Sequence, residues 1–427
     1  DAKTFRDFHR RFTPVVQSII GPETFSPPMQ AEKKRELLEK SELGKLYYEF
    51  ADRSINDVVE EVFESDQVKA MVSYLFLLRG NELDEVGQGY VVPVACAGGI
   101  NSTISRGTSH RLAHSLNQMV IKNGGEVYEG QAAVEILIED GRAAGVRLAD
   151  GRILKARKFV ASTLNPQQTF LQLINGDKID SSLKERAENF KYSLTTPIMT
   201  VHLALHERPM WTAAEYDPNV MKAWLMVMGV DSTEDIRVIL EQCAAGEVPT
   251  RLQLIGGVPT VFDPTQAPEG KHTAWFWQLA PYNLKEGPEH WDEVIDELYE
   301  KEIKLIQQYA PNINGKTIVD GWGQSPLDVS RHLPNMQNGD WMCGALSADQ
   351  FLDKRPFPEC SQYRTPVEGL YVAGASCHPG GNITGAPGYN AAGVIVQDLK
   401  ADLWWKAPDL EKIWSNLPAE SPAKAVS

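Results

Sequence analysis

At 427 residues the chain exceeds the size at which one hydrophobic core usually stays undivided, so two or more lobes are expected. A composition of 42% hydrophobic and 23% charged residues is that of an ordinary folded protein. The formal net charge of -15, with no dense Lys/Arg cluster to offset it, repels phosphate backbones and anionic surfaces and excludes nucleic acid as an expected partner.

Cys96, Cys243, Cys343, Cys360 and Cys377 are scattered and show no CxxC spacing, which fits reduced thiols in a cytosolic protein and offers no zinc site. No apolar run approaches the ~20 residues that span a bilayer, so no transmembrane segment is expected. The start "DAKTFRDFHRRF" lacks an apolar signal-peptide core. A cytoplasmic location is expected, with a membrane-peripheral one as the variant. The first residue is not methionine, from which the expectation is a chain that continues a longer polypeptide.

From 1 to about 90 the apolar spacing is helical, and "INDVVEEVFESDQVKAMVSYLFLL" reads as a helix introduced by Ser54, within a helical lobe. A second unit, 91–165, holds "TSHRLAHSLNQMVIKNGG", a helix capped by Thr108 or Ser109 and stopped at Gly124-Gly125. A short strand and a three-stranded meander follow, its turns marked by Asp140-Gly141 and Asp150-Gly151.

The region 166–345 mixes strands, "PIMTVHLALH" and "HTAWFWQLAPY", with the long amphipathic helix "HWDEVIDELYEKEIKLIQQYA". In the second strand Trp275 and Trp277 share one face and Ala274 and Phe276 the other, so the sheet is expected to be covered on both sides. The unit 346–405 runs from the strand "EGLYVAGA" through "HPGGNITGAPGYNAA" into the helix "AAGVIVQDLKADLWW"; 406–427 reads as a tail, with "LPAESPAKAVS" polar and frayed.

The strand, glycine-rich loop and helix start at 370–392 make a place where unpaired backbone N–H groups and the helix dipole favour an anion or a carbonyl oxygen. Glycines 380, 381, 385 and 388 permit close approach, and Pro379 and Pro387 stiffen the turns. Such a loop suits a flat polar cofactor; a solvated connector is the plainer alternative.

"YRTPVEGLYVAGASCHPGGNITGAPGYNAA" resembles the C-terminal flavin-binding signature of the phytoene desaturase-like family of FAD-dependent oxidoreductases. "GALSADQFLDKRP", "AAVEILIEDGRAAGVRLADG" and "SINDVVEEVFESDQVKAMV" resemble the family's preceding segment, adenine-side meander and helical lobe, in the family's order. The resemblance implies a mixed α/β, two-domain FAD oxidoreductase fold with a partial Rossmann-like FAD domain and a mixed-sheet and helical substrate domain. It also implies FAD as cofactor and dehydrogenation of an apolar or alicyclic small molecule.

One departure is large. The family opens with a strand, a GxGxxG turn and a helix, and no GxGxxG occurs in this sequence. The unit is expected from a segment outside the residues given or from a second subunit of a heteromer. An oxidase or isomerase using the same flavin, and a non-catalytic scaffolding subunit without FAD, are the rival readings.

By resemblance, backbone groups at Gly381, Ile383, Thr384 and Gly385 and the helix start near Tyr389 and Asn390 would meet the flavin ring. Gly374 and Ala375 would lie near its ribityl and pyrophosphate portion, and Val134 near the adenine. His378 and Tyr389 are the candidate catalytic side chains; an imidazole that fixes the loop and a tyrosine that packs the helix start are the plainer readings. Trp275 and Trp277, with Trp322 and Trp341, suit an apolar substrate wall or plain core. His110 and His114 have the four-residue spacing of paired metal ligands but no third ligand, and no metal is expected.

Overall fold

The computed structural model describes residues 1–98, 103–174, 178–195 and 197–419. The first helices build one lobe. Helix α1 (Ala2–Val15) runs through a π-helical turn, Val16–Ile20, into α2 (Gly21–Thr24), followed by α3 (Ala31–Leu38) and α4 (Glu42–Ala51). The single helix expected after Ser54 is two, α5 (Ile55–Val62) and α6 (Asp66–Leu77). Ser54 and Asp57 form a capping box on α5, Phe63 is extended and buried, and Ser65 caps α6 through the N–H of Val68. A second serine cap three residues beyond the first helix is the local signal for the break. Helix α7 (Val91–Gly98) buries Val92, Cys96 and Ala97 in the same core, so the lobe extends past the expected boundary at 90.

Helix α8 (Thr108–Lys122) starts at Gly107, whose φ of +77° supplies the turn that neither Thr108 nor Ser109 caps, and none of its residues is buried. The short strand expected after it is absent; the meander follows directly as β1 (Ala133–Glu139), β2 (Arg142–Leu148) and β3 (Ile153–Lys155), all antiparallel. Asp140 and Gly141 are both left-handed, as a two-residue hairpin turn demands. Strand β4 (Val160–Ser162) leads to α9 (Ser181–Glu188).

The largest sheet is fully antiparallel. Strands β5 (Ile198–Leu205), β6 (Met226–Met228), β7 (Leu254–Gly257), β8 (His272–Leu279) and β9 (Ile318–Gln324) stand in the order β6-β7-β8-β5-β9. Helix α10 (Thr233–Ala244) lies between β6 and β7, α11 (Trp291–Tyr309) between β8 and β9, and α12 (Pro326–His332) follows β9. Phe276 and Ala274 pack with Leu298, Ile303 and Ile306 of α11, whereas Ile198, Ile255 and Leu279 join the core of the helical lobe. The sheet is thus covered on both faces, and the α/β two-domain fold class expected from the sequence holds.

Strand β10 (Leu370–Val372) pairs in parallel with β4, and α13 (Ala386–Asp398) follows it. The expected tail is not one up to residue 419: α14 (Leu410–Ser415) buries Leu410 and Trp414 in the helical-lobe core, and the Trp414 indole donates to the Ser18 carbonyl at 3.2 Å. The fraying expected of "LPAESPAKAVS" falls mostly on residues 420–427, outside those described.

Candidate cofactor and substrate site

Past β10 the chain turns at Gly374, with φ +82°; a Cβ there would stand 2.4 Å from the Thr163 carbonyl oxygen, so only glycine lets the loop cross the end of β4. The next carbonyl, of Ala375, accepts from Arg355 at 2.9 Å. Arg355 is wholly buried and also donates to the carbonyls of Ala345 (2.8 Å), Gly344 (3.2 Å) and Met342 (3.3 Å). Burial pulls its pKa down and Asp340 opposes that. Asp340 accepts the N–H groups of Ser193, Met342 and Gly344, each at 2.9 Å. Arg355 therefore ties the 342–345 segment to the root of the loop. From sequence an arginine in "DKRP" reads as surface, and nothing local marks it otherwise.

The inner side of the loop is held by side chains from distant segments. His378 is 2% exposed, and one ring nitrogen, Nε2, lies 3.0 Å from the Glu23 carbonyl. A carbonyl only accepts, so Nε2 carries the proton; Nδ1 is buried without a partner among the described residues. Burial lowers the His378 pKa. The Tyr363 hydroxyl donates to the His378 carbonyl at 2.7 Å and accepts from the Asn390 amide at 3.0 Å, which also reaches the carbonyls of Thr24 and Ser26. Glu23 itself is buried against Lys34, with Nζ to Oε1 at 2.7 Å, and Lys34 donates to Tyr47 at 3.1 Å. Burial acts to lower the Lys34 pKa, but the Glu23 carboxylate together with Tyr90 and Tyr48 outweighs it and the net direction is up.

The outer side of the loop is open. Asn382 (φ +68°) and Ile383 (φ +57°) are successive left-handed residues, a conformation that costs a β-branched side chain about 1–3 kcal/mol. Ile383 is 74% exposed. Among the described residues the N–H groups of Asn382, Ile383 and Gly385 have no hydrogen-bond partner. Thr384 Oγ1 accepts the Ala386 N–H at 3.2 Å, and a Cβ built on Gly385 or Gly388 meets nothing within 4 Å. Bare donors at the start of a thirteen-residue helix, with no side chain over them, fit the pyrimidine edge of a flavin. The helix starts at Ala386, earlier than expected, which puts Asn390 in the second turn with its amide turned inward. Tyr389 packs edge-on against Phe25 (5.7 Å) and tilted against Trp405 (5.8 Å).

Ile383 is also part of a second feature. It lines an apolar cavity of about 290 Å³ together with Trp224, Trp275, Trp277, Trp341 and Arg79. Ring centroids of Trp275 and Trp277 are 4.6 Å apart, Trp277 and Trp341 5.8 Å, Trp224 and Trp275 6.4 Å. The tryptophans of β8 are half-buried, where Phe276 and Ala274 on the other face are buried. Trp341 joins them; Trp322 does not, being 55% exposed and stacked on His202. Trp224, just before β6, gave no sequence signal beyond being aromatic.

Val134 is 46% exposed and sits where the β1–β2 register shifts between Ala133 and Glu135, far in sequence from the loop. His110 and His114 are exposed on α8. Among the described residues no group of three or more His, Cys, Asp or Glu is placed to hold a metal ion, and no helix is long and apolar enough to cross a membrane.

No family model matches the chain. A limonene dehydrogenase subunit of Castellaniella defragrans is 30% identical over 96% of this chain and 76% of that protein. Pyridine nucleotide-disulfide oxidoreductase domain-containing protein 2 of Mus musculus is 29% identical over 83% of the chain and 62% of its own length. The neurosporene-forming phytoene desaturase of Cereibacter sphaeroides is 22% identical over 82% and 64%. The chain thus spans less than two thirds of the last two relatives. Among solved structures, an oxidoreductase from Methanosarcina mazei matches with a TM-score of 0.47 and 17% identity over 82% of this chain and 68% of that one. The fold and the loop define an α/β protein with an open backbone site beside an aromatic cavity. The chain belongs to the phytoene desaturase-like family of FAD-dependent oxidoreductases.

Proposed function

We propose that this chain is the flavin-ring-holding and substrate-holding part of an FAD-dependent dehydrogenase acting on an apolar or alicyclic small molecule. The observation that carries the reading is a convergence: Ile383 of the glycine-rich loop and four tryptophans from three separate segments line one cavity. A substrate there lies next to whatever the open loop backbone holds. The bound flavin supplies hydride acceptance. The chain supplies N–H groups at Asn382, Ile383 and Gly385 and the α13 N-terminus, which stabilise negative charge on the pyrimidine edge before it develops. Gly374, Ala375 and Gly381 give backbone access to the ribityl portion, Thr384 holds the helix start, and the open backbone at Val134 meets the adenine.

His378 and Asn390 act in this reading as positioning residues: both are buried and both bond the loop to the Glu23–Ser26 segment. Tyr389 supports the helix start through Phe25 and Trp405, so the substrate proton leaves to water rather than to either candidate side chain.

A nucleotide-binding unit from outside these residues, as a segment of the same polypeptide or a second subunit, completes the site. Two features support this. Helix α8 exposes Leu112, Leu116, Met119, Val120 and Ile121, an apolar set that a folded protein normally covers. Strands β4 and β10 form a two-stranded parallel pair, whereas parallel sheets are built from several strands covered on both faces. The limonene dehydrogenase relative is itself named as a subunit.

The test is to produce the chain alone and together with its flanking coding sequence or neighbouring gene product, then record flavin absorbance and its anaerobic bleaching by alicyclic hydrocarbons. Flavin uptake that requires the added unit, with bleaching abolished by Trp275→Ala, is the expected result. A colourless complex sinks the reading and leaves a scaffolding subunit.

A further inference from the structure

The apolar cavity contains one element that a purely hydrocarbon ligand does not require. Arg79 lies just past the C-terminus of α6, where the helix dipole favours a cation, and its side chain reaches the rim of the cavity formed by Trp224, Trp275, Trp277, Trp341 and Ile383. Among the described residues its guanidinium has no hydrogen-bond or ion-pair partner, although most arginines of this chain are paired with carboxylates.

Of the acidic residues that follow it in sequence, Asp84 accepts from Asn56 at 2.6 Å and Glu85 accepts from the Ala348 N–H at 2.7 Å; Glu82, whose carboxyl pKa is raised by burial and by Glu85, makes no pair with Arg79. Nor does Arg79 stack on a cavity tryptophan; the cation–π contacts among the described residues involve Lys34, Arg35 and Arg152. Arg79 is an exposed residue at the rim of the cavity, and the apolar walls beside it act to lower its pKa by desolvation. A cation beside apolar walls without a protein counter-charge is met by water alone, and in an acidic protein a paired arginine would be the ordinary outcome.

We infer that the ligand supplies the missing counter-charge: the cavity takes an apolar or alicyclic body among the tryptophans and an anionic group, a carboxylate or equivalent oxyanion, on Arg79. This rests on the reading of the cavity as the substrate site and narrows it from hydrocarbons to amphiphilic acids. The five donors of the guanidinium match a carboxylate in a two-pronged pair, and the ring faces beyond it take the hydrocarbon part. At about 290 Å³ the cavity stands at the small end of ligand sites, suited to a body of one or two rings.

The experiment titrates the full chain, with and without FAD and the completing unit, with cyclohexanecarboxylate and with its methyl ester, followed by calorimetry and by the emission of the cavity tryptophans. The carboxylate is expected to bind about tenfold or more tightly than the ester, as a charge-assisted pair implies. Arg79→Met is expected to erase that preference while leaving ester binding unchanged, and Arg79→Lys to restore part of it.

Equal binding of acid and ester, or a preference that survives in Arg79→Met, overturns the inference while the cavity reading stands. If neither compound binds and Trp275→Ala changes nothing, the cavity reading itself fails. If Arg79→Met lowers FAD uptake and leaves the acid preference intact, the arginine serves the cofactor and the inference is overturned.

Discussion

Helices α6 and α8 are of similar length and both carry apolar residues, yet α6 buries Ala70, Tyr74, Phe76 and Leu77 and α8 buries nothing. The difference lies in what each has to pack against. Around α6 the chain supplies its own cover, from the other helices to the sheet that carries Trp275 and Trp277. Around α8 the described residues supply none. One half of the molecule therefore closes on itself, down to buried ion pairs, and the other presents a surface suited to a further unit.

The largest expected effect lies in the closed half. Glu23→Ala strips the buried Lys34 of its counter-charge and should destabilise the protein by about 3–5 kcal/mol in urea unfolding, whereas replacing both by apolar residues should cost far less. A small effect of the single change would mean that the pair is hydrated and the half less closed than described. Next, Arg355→Met removes the donors serving carbonyls at 342–345 and 375, at a cost on the order of 3 kcal/mol. Its signature beyond stability is weakened flavin retention, because the root of the loop is freed.

A pH experiment probes the same side more gently. His378 has a folded pKa below its unfolded value of 6.5, because burial disfavours the imidazolium. The unfolded chain therefore binds the proton first as pH falls: the contribution is fully present above 6.5, declines as pH drops through 6.5 toward the folded pKa, and levels off below it. His378→Gln should remove this slope; an unchanged slope would assign the acid sensitivity elsewhere.

The smallest effect on stability should come from the open half. Leu116→Lys with Met119→Lys should shift the unfolding free energy of this chain by no more than about 0.5 kcal/mol. The same pair should reduce self-association and dye binding, and abolish assembly with the completing unit. A large loss of stability would break the comparison between the two helices.

Much of this fold was legible in order and kind. Alternation and Asp-Gly turns marked the meander, the 3.6-residue period marked α11, and the glycine-rich loop after a short strand marked the family. What escaped were features with no period. The break between α5 and α6 turned on Ser65 winning a cap, and the start of α13 four residues before Asn390 turned on the left-handed Gly385. The packed α14 was hidden because a six-residue stretch shows barely more than one turn of pattern.

The site divides the same way. The sequence by itself determined that a turning loop of little side chain leads into a helix, because glycines at 374, 380 and 385 supply the positive φ values that those turns require. Only the tertiary structure decided which side chains share a cavity: Trp224, Trp275, Trp341, Ile383 and Arg79 come from five separate stretches. It also turned His378 inward to Glu23. Such meetings arise from sheet register and from the docking of the helical lobe, and local residue preferences carry no record of them.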